Sequence, residues 1–341
     1  MLGRGTSPVR AFGWVWVGML VGCGGGDPEP ISQGGAGQVS LPVHEPVSDT
    51  AGYVRVGDAR LYYTAFGSGP PLLVVHGGPG LDQAYMRPWF DELQDVARVV
   101  YYDQRGTGGS TAPRTAAALH FDQFVGDIER IRQAMGWERF TLLGHSWGGI
   151  LAVAYAREHG SRLAGMVLVS PAEPGTQFAA LAAERSREAR SAETQARLGE
   201  LLASDGYAQG EPAVVSEIFK VVFATTLADS ADIGLLDLEL SETTARNREE
   251  VTGLLQQGMV QPEWWPELRS ITVPTLVIHG RHDPLPIEMA EALADSLPGG
   301  RLVRLRDSGH FPFAEEPEVV AREIRSFLAM RADPRRALPE K

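Results

Sequence analysis

The sequence holds one cysteine, Cys23, in 341 residues, so no intramolecular disulfide can form. No Cys/His cluster has zinc spacing and no His-Glu-x-x-His helix occurs, so neither a metal nor another cofactor is expected. Positive charge is also scarce: 31 Lys and Arg stand against 43 Asp and Glu, a formal charge of −12. Without a basic balance or a basic stripe, nucleic acid is not an expected partner, and the acidic excess serves solubility. No apolar run reaches the roughly 20 residues that a bilayer core demands. There is no internal repeat. What remains is ordinary globular composition, 43% hydrophobic and 22% charged. The length suits one large α/β core carrying an insertion.

The first 22 residues read as an address, not as part of the fold. Arg4 and Arg10 precede a short apolar run from Ala11 to Gly22 that ends in Leu20-Val21-Gly22-Cys23. Such a run suits a signal-peptide core. It resembles the bacterial lipoprotein signal, in which the cysteine is lipidated and becomes the first mature residue. Cleavage there would leave 341 − 22 = 319 residues. Residues 23–50 are rich in Gly, Pro, Ser and Gln without hydrophobic periodicity, and read as a flexible tether. The expectation is an exported, membrane-anchored lipoprotein of the cell envelope. Gly24 after the cysteine favours the outer membrane where the host has one.

From Ala51 onward strands and helices alternate. Tyr53–Val56 and Arg60–Ala65 read as a hairpin, and Leu72–His76 and Val96–Asp103 as buried strands, with Tyr85–Leu93 helical between them. Phe121, Phe124, Val125, Ile128, Ile131 and Met135 fall on one helix face. Strand Phe140–Leu143, helix Gly148–His159 and strand Leu163–Ser170 follow. Residues 171–262 break the alternation and read as a helical cap, with Val214, Val215, Ile218, Phe219, Val222 and Phe223 at helical spacing. Strand Thr275–His279, helix Ile287–Leu297, strand Leu302–Leu305 and helix Val319–Met330 resume the pattern, and 331–341 is a tail. The expected fold class is α/β: a mostly parallel sheet flanked by helices, with core segments 51–170 and 263–330.

Gly144-His145-Ser146-Trp147-Gly148 matches the Gly-x-Ser-x-Gly nucleophile elbow, with a strand before it and a helix after it as that turn requires. A serine hydroxyl needs a base to take its proton and a carboxylate to orient the base. In such a fold the order along the chain is Ser, then Asp or Glu, then His. Of eight histidines, only His279, His282 and His310 follow the cap. His310 lies in a loop after the last strand and is the expected base. Asp283, just past a strand at the same edge, is the expected acid, and Asp307 is its rival. His76-Gly77-Gly78-Pro79-Gly80 would supply one oxyanion donor, the Gly78 N–H, and the Trp147 N–H the other.

At these residues the chain resembles the proline iminopeptidase (prolyl aminopeptidase) family of α/β-hydrolases. Three matching stretches are His76–Gly80, Asp103-Gln104-Arg105-Gly106-Thr107-Gly108-Gly109-Ser110 and Gly144–Gly149. His279-Gly280-Arg281-His282-Asp283 and Ser308-Gly309-His310-Phe311 complete the set, which spans about residues 53–330. The resemblance implies an α/β-hydrolase fold and release of an N-terminal residue, often proline, from a short peptide. It also implies a cap acid for the substrate amine, in a Trp-x-x-Trp-Glu-like segment. Residues 171–262 contain no tryptophan. Glu200, Glu217 or Glu239 could do that job, and nothing in the sequence selects one.

Three readings follow. The first is an aminopeptidase-like hydrolase of small peptides or amides. The second is a carboxylesterase or other small-molecule hydrolase with the same Ser-Asp-His set. The third is a surface lipoprotein that only binds. An acid facing the site from the cap favours the first, an apolar cap floor the second, and intact Ser146, Asp283 and His310 argue against the third. The partners expected are a small peptide, amide or ester, and a membrane through the lipid on Cys23.

Overall fold

A computed structural model of the chain describes residues 50–57, 59–111, 119–247 and 263–332. The expected signal peptide, Cys23, nearly all of the tether, the end of the cap and the tail beyond residue 332 lie outside the described residues.

Eight strands form one sheet: β1 (Thr50–Val56), β2 (Ala59–Phe66), β3 (Pro71–Val75), β4 (Arg98–Tyr102), β5 (Phe140–His145), β6 (Leu163–Val169), β7 (Thr275–Gly280) and β8 (Gly300–Leu305). Their order is β1-β2-β4-β3-β5-β6-β7-β8. The β1–β2 hairpin is antiparallel, β2 meets β4 antiparallel, and every later pair is parallel. The parallel strands read as continuous apolar runs because both faces are covered. Their residues alternate between two cores. Leu73, Val75, Leu142 and Val277 pack on one face, Leu72, Val74, Leu143 and Ile278 on the other.

On the first face lie α1 (Phe121–Ala134), α2 (Trp147–His159) and α7 (Ile287–Ser296), through Ile128, Leu151 and Leu293. On the second lies α9 (Pro317–Ala332), through Ile324 and Phe327, preceded by the single turn α8 (Pro312–Glu315). The helix expected over Tyr85–Leu93 is instead two short 3₁₀ turns, Ala84–Met86 and Asp91–Asp95. Pro88 stands between them and lacks the N–H that a continuous helix needs. Two expected ends also move: β1 begins at Thr50, inside the expected tether, and α9 runs past Met330 to Ala332.

Between β6 and β7 the chain leaves the sheet and builds α3 (Ala179–Glu188), α4 (Ala192–Leu202), α5 (Asp205–Gln209) and α6 (Pro212–Ala224), with residues 242–247 also helical. Ser191 caps α4, its hydroxyl accepting from the Thr194 N–H at 3.1 Å, and Pro212 opens α6 where no N–H is missed. The insertion rests on loops at the carboxyl ends of the strands. Thr226 O accepts from His310 N at 2.8 Å, Thr244 Oγ1 accepts from Gly108 N at 2.8 Å, and Asn247 Nδ2 donates to Gly106 O at 3.1 Å. A neck joins its two ends. Trp264 N donates to Pro174 O at 2.8 Å, and the Thr176 hydroxyl donates to Glu263.

Candidate active site

Ser146 sits between β5 and α2 with φ 56° and ψ −118°. A non-glycine residue holds positive φ only where its surroundings impose it. Here its N–H donates to Val169 O at 3.0 Å, and its carbonyl accepts from Gly149 N and Ala172 N, each at 2.9 Å. The flanking glycines are required by close approach. A Cβ on Gly144 would lie 2.2 Å from Gly148 O, and one on Gly148 would lie 2.2 Å from Val75 O. The Ser146 side chain caps nothing. Its Oγ instead faces His310 Nε2 at 3.1 Å.

His310 Nδ1–H donates to Asp283 Oδ2 at 2.8 Å, and Asp283 Oδ1 accepts from Leu285 N at 2.9 Å. Burial alone would push the Asp283 carboxyl up. The neighbouring His310 and His279 and the bonds it accepts outweigh that and hold it below its ordinary range. Ser146, Asp283 and His310 are 2%, 2% and 3% exposed, so their hydrogen bonds act where water screens little. The structure therefore brings these three together and leaves the rivals apart. Asp307 and His282 point into solvent. His279 is buried behind Asp283, its Nε2 3.7 Å from Asp283 Oδ2 and bonded to Leu285 O at 2.9 Å.

The expected oxyanion donors lie on either side of Ser146. Trp147 is the first residue of α2, where helix amides have no intrahelical acceptor. The Gly77 N–H is taken by the Tyr85 hydroxyl at 2.6 Å, and the next amide is that of Gly78, in a turn with φ 122°. Gln104 braces both sides. Its Nε2 donates to His76 O at 2.7 Å and its Oε1 accepts from Trp147 Nε1 at 3.0 Å. The Gln104 N–H also donates to His76 Nε2 at 3.0 Å. His76 is thereby fixed as one neutral tautomer, and burial lowers its pKa to about 4. The rest of the Asp103–Ser110 stretch is structural. Asp103 accepts from Gln83 N, Gln83 Nε2 and Gly109 N at 3.1, 3.0 and 2.7 Å. Arg105 Nε donates to buried Asp127 at 2.8 Å.

The three cap acids singled out by the sequence are not turned into the site. Glu200 and Glu217 flank Arg197, and Glu239 pairs with Lys220, with carboxylates 70%, 43% and 71% exposed. Sequence reasoning missed Tyr85, Gln104, Glu315 and the role of His145. Gln104, inside the Asp103–Ser110 stretch, and His145, inside the elbow motif, carried a local signal.

A family described as the alpha/beta hydrolase fold matches residues 70–204, and one described as TAP-like protein matches residues 255–338. A proline iminopeptidase of Heyndrickxia coagulans is 28% identical over 291 residues, covering 82% of this chain and 98% of its own. Among solved structures, an esterase from Thermogutta terrifontis superposes with a TM-score of 0.63 at 26% identity, covering 83% of this chain and 100% of that one. A proline iminopeptidase-related protein from Thermus thermophilus gives 0.62 at 28% identity, covering 82% and 97%. With this sheet and these relatives, the chain is a hydrolase with the α/β-hydrolase fold, and its sequence is similar to those of proline iminopeptidases.

Proposed function

We propose that the chain hydrolyses small acyl substrates through an acyl-enzyme on Ser146 and releases N-terminal residues from short peptides. The Ser146–His310–Asp283 hydrogen-bonded chain carries this reading. His310 Nε2 takes the hydroxyl proton as Oγ attacks the carbonyl carbon. Asp283 holds Nδ1–H and stabilises the imidazolium, and the Gly78 and Trp147 amides receive the oxyanion. The proton then passes to the leaving amine, and water repeats the cycle on the acyl-enzyme. Ser146→Ala should fold and lose turnover by a factor on the order of 10⁴ or more. Substantial residual activity would remove Ser146 from the mechanism.

The aminopeptidase specificity rests on the relatives and on one acid that the sequence did not single out. Asp82, four residues past Gly78, is half-buried where the oxyanion loop meets the insertion, with Thr244 Oγ1 3.4 Å from its carboxylate. Burial raises its pKa, and nearby Asp237 adds to that. A substrate ammonium group would relieve this uncompensated charge. The exposure of Glu200, Glu217 and Glu239 favours the second reading, an esterase. Matched free and N-acetylated alanyl and prolyl arylamides separate the two. Blocking the amine should lower kcat/KM roughly 10²-fold in the first case, and Asp82→Asn should shrink that ratio. Equal values for free and blocked substrates would leave the esterase.

The anchor remains a reading of the sequence. We place a lipid on Cys23 at the envelope membrane; among the described residues no helix is long and apolar enough to cross one. Cys23→Ser in the native host should shift the protein out of the membrane fraction or stall its processing, and unacylated soluble native protein would refute the anchor.

A further inference from the structure

Three loops must stay in register for Ser146 chemistry: the oxyanion loop at Gly77–Gly78, the elbow at His145–Ser146, and the base loop at His310. One chain of hydrogen bonds crosses all three. Gly77 N–H donates to Tyr85 Oη at 2.6 Å. Tyr85 Oη lies 2.7 Å from His145 Nδ1, and His145 Nε2 lies 2.9 Å from His310 O. Its polarity is fixed at both ends. A backbone N–H can only donate and a backbone carbonyl can only accept, so the Tyr85 proton must point at Nδ1 and the His145 proton must sit on Nε2. Burial holds the His145 pKa well below its ordinary value, which suits the neutral ring that this polarity demands.

The surroundings make the chain hard to replace. Tyr85 and His145 are each 1% exposed. Phe311 and Phe313 close around them, with ring centroids 5.2 and 5.1 Å from His145, so water cannot readily stand in for the hydroxyl. The oxyanion loop is also in direct contact with the nucleophile. A Cβ on Gly77 would lie 2.9 Å from Tyr85 Oη, 3.0 Å from Ser146 Cβ and 3.1 Å from His145 Nδ1. A small displacement of Gly77 therefore moves the Gly78 amide relative to Ser146.

We propose that Tyr85 and His145 form a one-way strap holding the Gly78 amide, Ser146 and His310 in register, and that the Tyr85 hydroxyl is thereby a positioning residue for hydrolysis. This rests on the reading of Ser146 as nucleophile. The strap bonds to the backbone of Gly77 and of His310, and the His145 ring packs on the His310 ring with centroids 4.9 Å apart, so its loss should raise the barrier and spare ground-state binding.

The experiment is Tyr85→Phe assayed on an aryl ester, with a trifluoromethyl ketone as mimic of the tetrahedral intermediate. kcat should fall roughly 10- to 100-fold with KM moving less than about 2-fold, and the ketone should bind more weakly by the same factor. A merely structural tyrosine would lower the melting point and leave the kcat of the folded protein unchanged. His145→Gln, whose amide offers one acceptor and one donor, should keep most of the activity, whereas His145→Leu should match Tyr85→Phe. Because the strap is one unit, Tyr85→Phe/His145→Leu should cost little more than either change alone. If Tyr85→Phe does not fold, the two His145 variants carry the test. A kcat within about 2-fold of the parent in folded Tyr85→Phe, equal activity of the two His145 variants, or additive losses would overturn the strap. An inactive Ser146→Ala beside any of these leaves the nucleophile standing, whereas an active Ser146→Ala overturns the nucleophile itself.

Discussion

Asp307 is the nearer of the two acids to His310 along the sequence, yet the fold brings Asp283 to it. Asp283 reaches His310 Nδ1 across the β7–α7 turn at 2.8 Å, while Asp307 faces solvent and its N–H lies 3.4 Å from the Glu316 carboxylate. Asp283→Asn keeps the shape but offers a carboxamide that can favour the wrong imidazole tautomer, so kcat should fall by about 10⁴. Asp307→Asn should leave kcat within about 2-fold, as for a surface change with no partner at stake. The reverse ranking in steady-state assays would reassign the acid. Chain order and strand ends made Ser146, Asp283 and His310 legible, because the elbow is a local pattern and the other two follow strands. The partners of Tyr85 and Gln104 were not legible. Tyr85 acts on a histidine 60 positions away, and Gln104 on a tryptophan 43 positions away, and no periodicity encodes such a meeting.

The base loop is gripped by elements on both sides. The carboxylate of Glu315, at the end of α8, accepts from Gly309 N at 2.9 Å, from Phe311 N at 3.1 Å and from Ala228 N of the insertion at 2.7 Å. Burial raises its pKa, and these three N–H bonds pull against that. Glu315→Gln presents an NH₂ where an acceptor is needed, and a lost bond to a charged group in such a place costs about 1.5–3 kcal/mol. The melting point should drop, and kcat should fall roughly 10-fold as the His310 loop loosens. Unchanged stability and unchanged kcat would show that Glu315 does not hold the loop. The periodic helices α1, α7 and α9 were readable because each presents one apolar stripe to a sheet face, and α2, buried on every side from Trp147 to Ala156, because it follows the elbow. The Tyr85–Leu93 segment was not, because its apolar spacing mimics a helix that Pro88 forbids.

At the scale of the molecule, acid should undo the fold early. His76, His145 and His279 are all depressed by burial. They stay neutral in the native protein and take up protons on unfolding, so their contribution is present above the unfolded pKa near 6.5 and is lost as pH falls through it toward the folded values. Asp103 works the other way. Burial, with Asp82 nearby, raises it to about 6, so the native state gains a proton there before the unfolded chain does. From pH 7.5 to 6.0 the three histidines should therefore cost more stability than Asp103 returns. Urea unfolding at the two pH values reads this directly, and a midpoint that stays flat or rises would contradict it.

The neck at Pro174 and Trp264 bears on how the architecture diversifies. Strands β6 and β7 pair directly, Met166 beside Thr275 and Val169 beside Ile278, so the chain returns to the sheet next to where it left. Everything between is a detour whose ends are already tied together, by Trp264 N to Pro174 O at 2.8 Å. A foreign lid spliced at those two residues would meet a junction that closes itself, and the strand register on either side need not change. Domain insertion is best tolerated where the two ends lie close together. The same Ser146 machinery thus becomes a chassis on which substrate range is exchanged as a cassette.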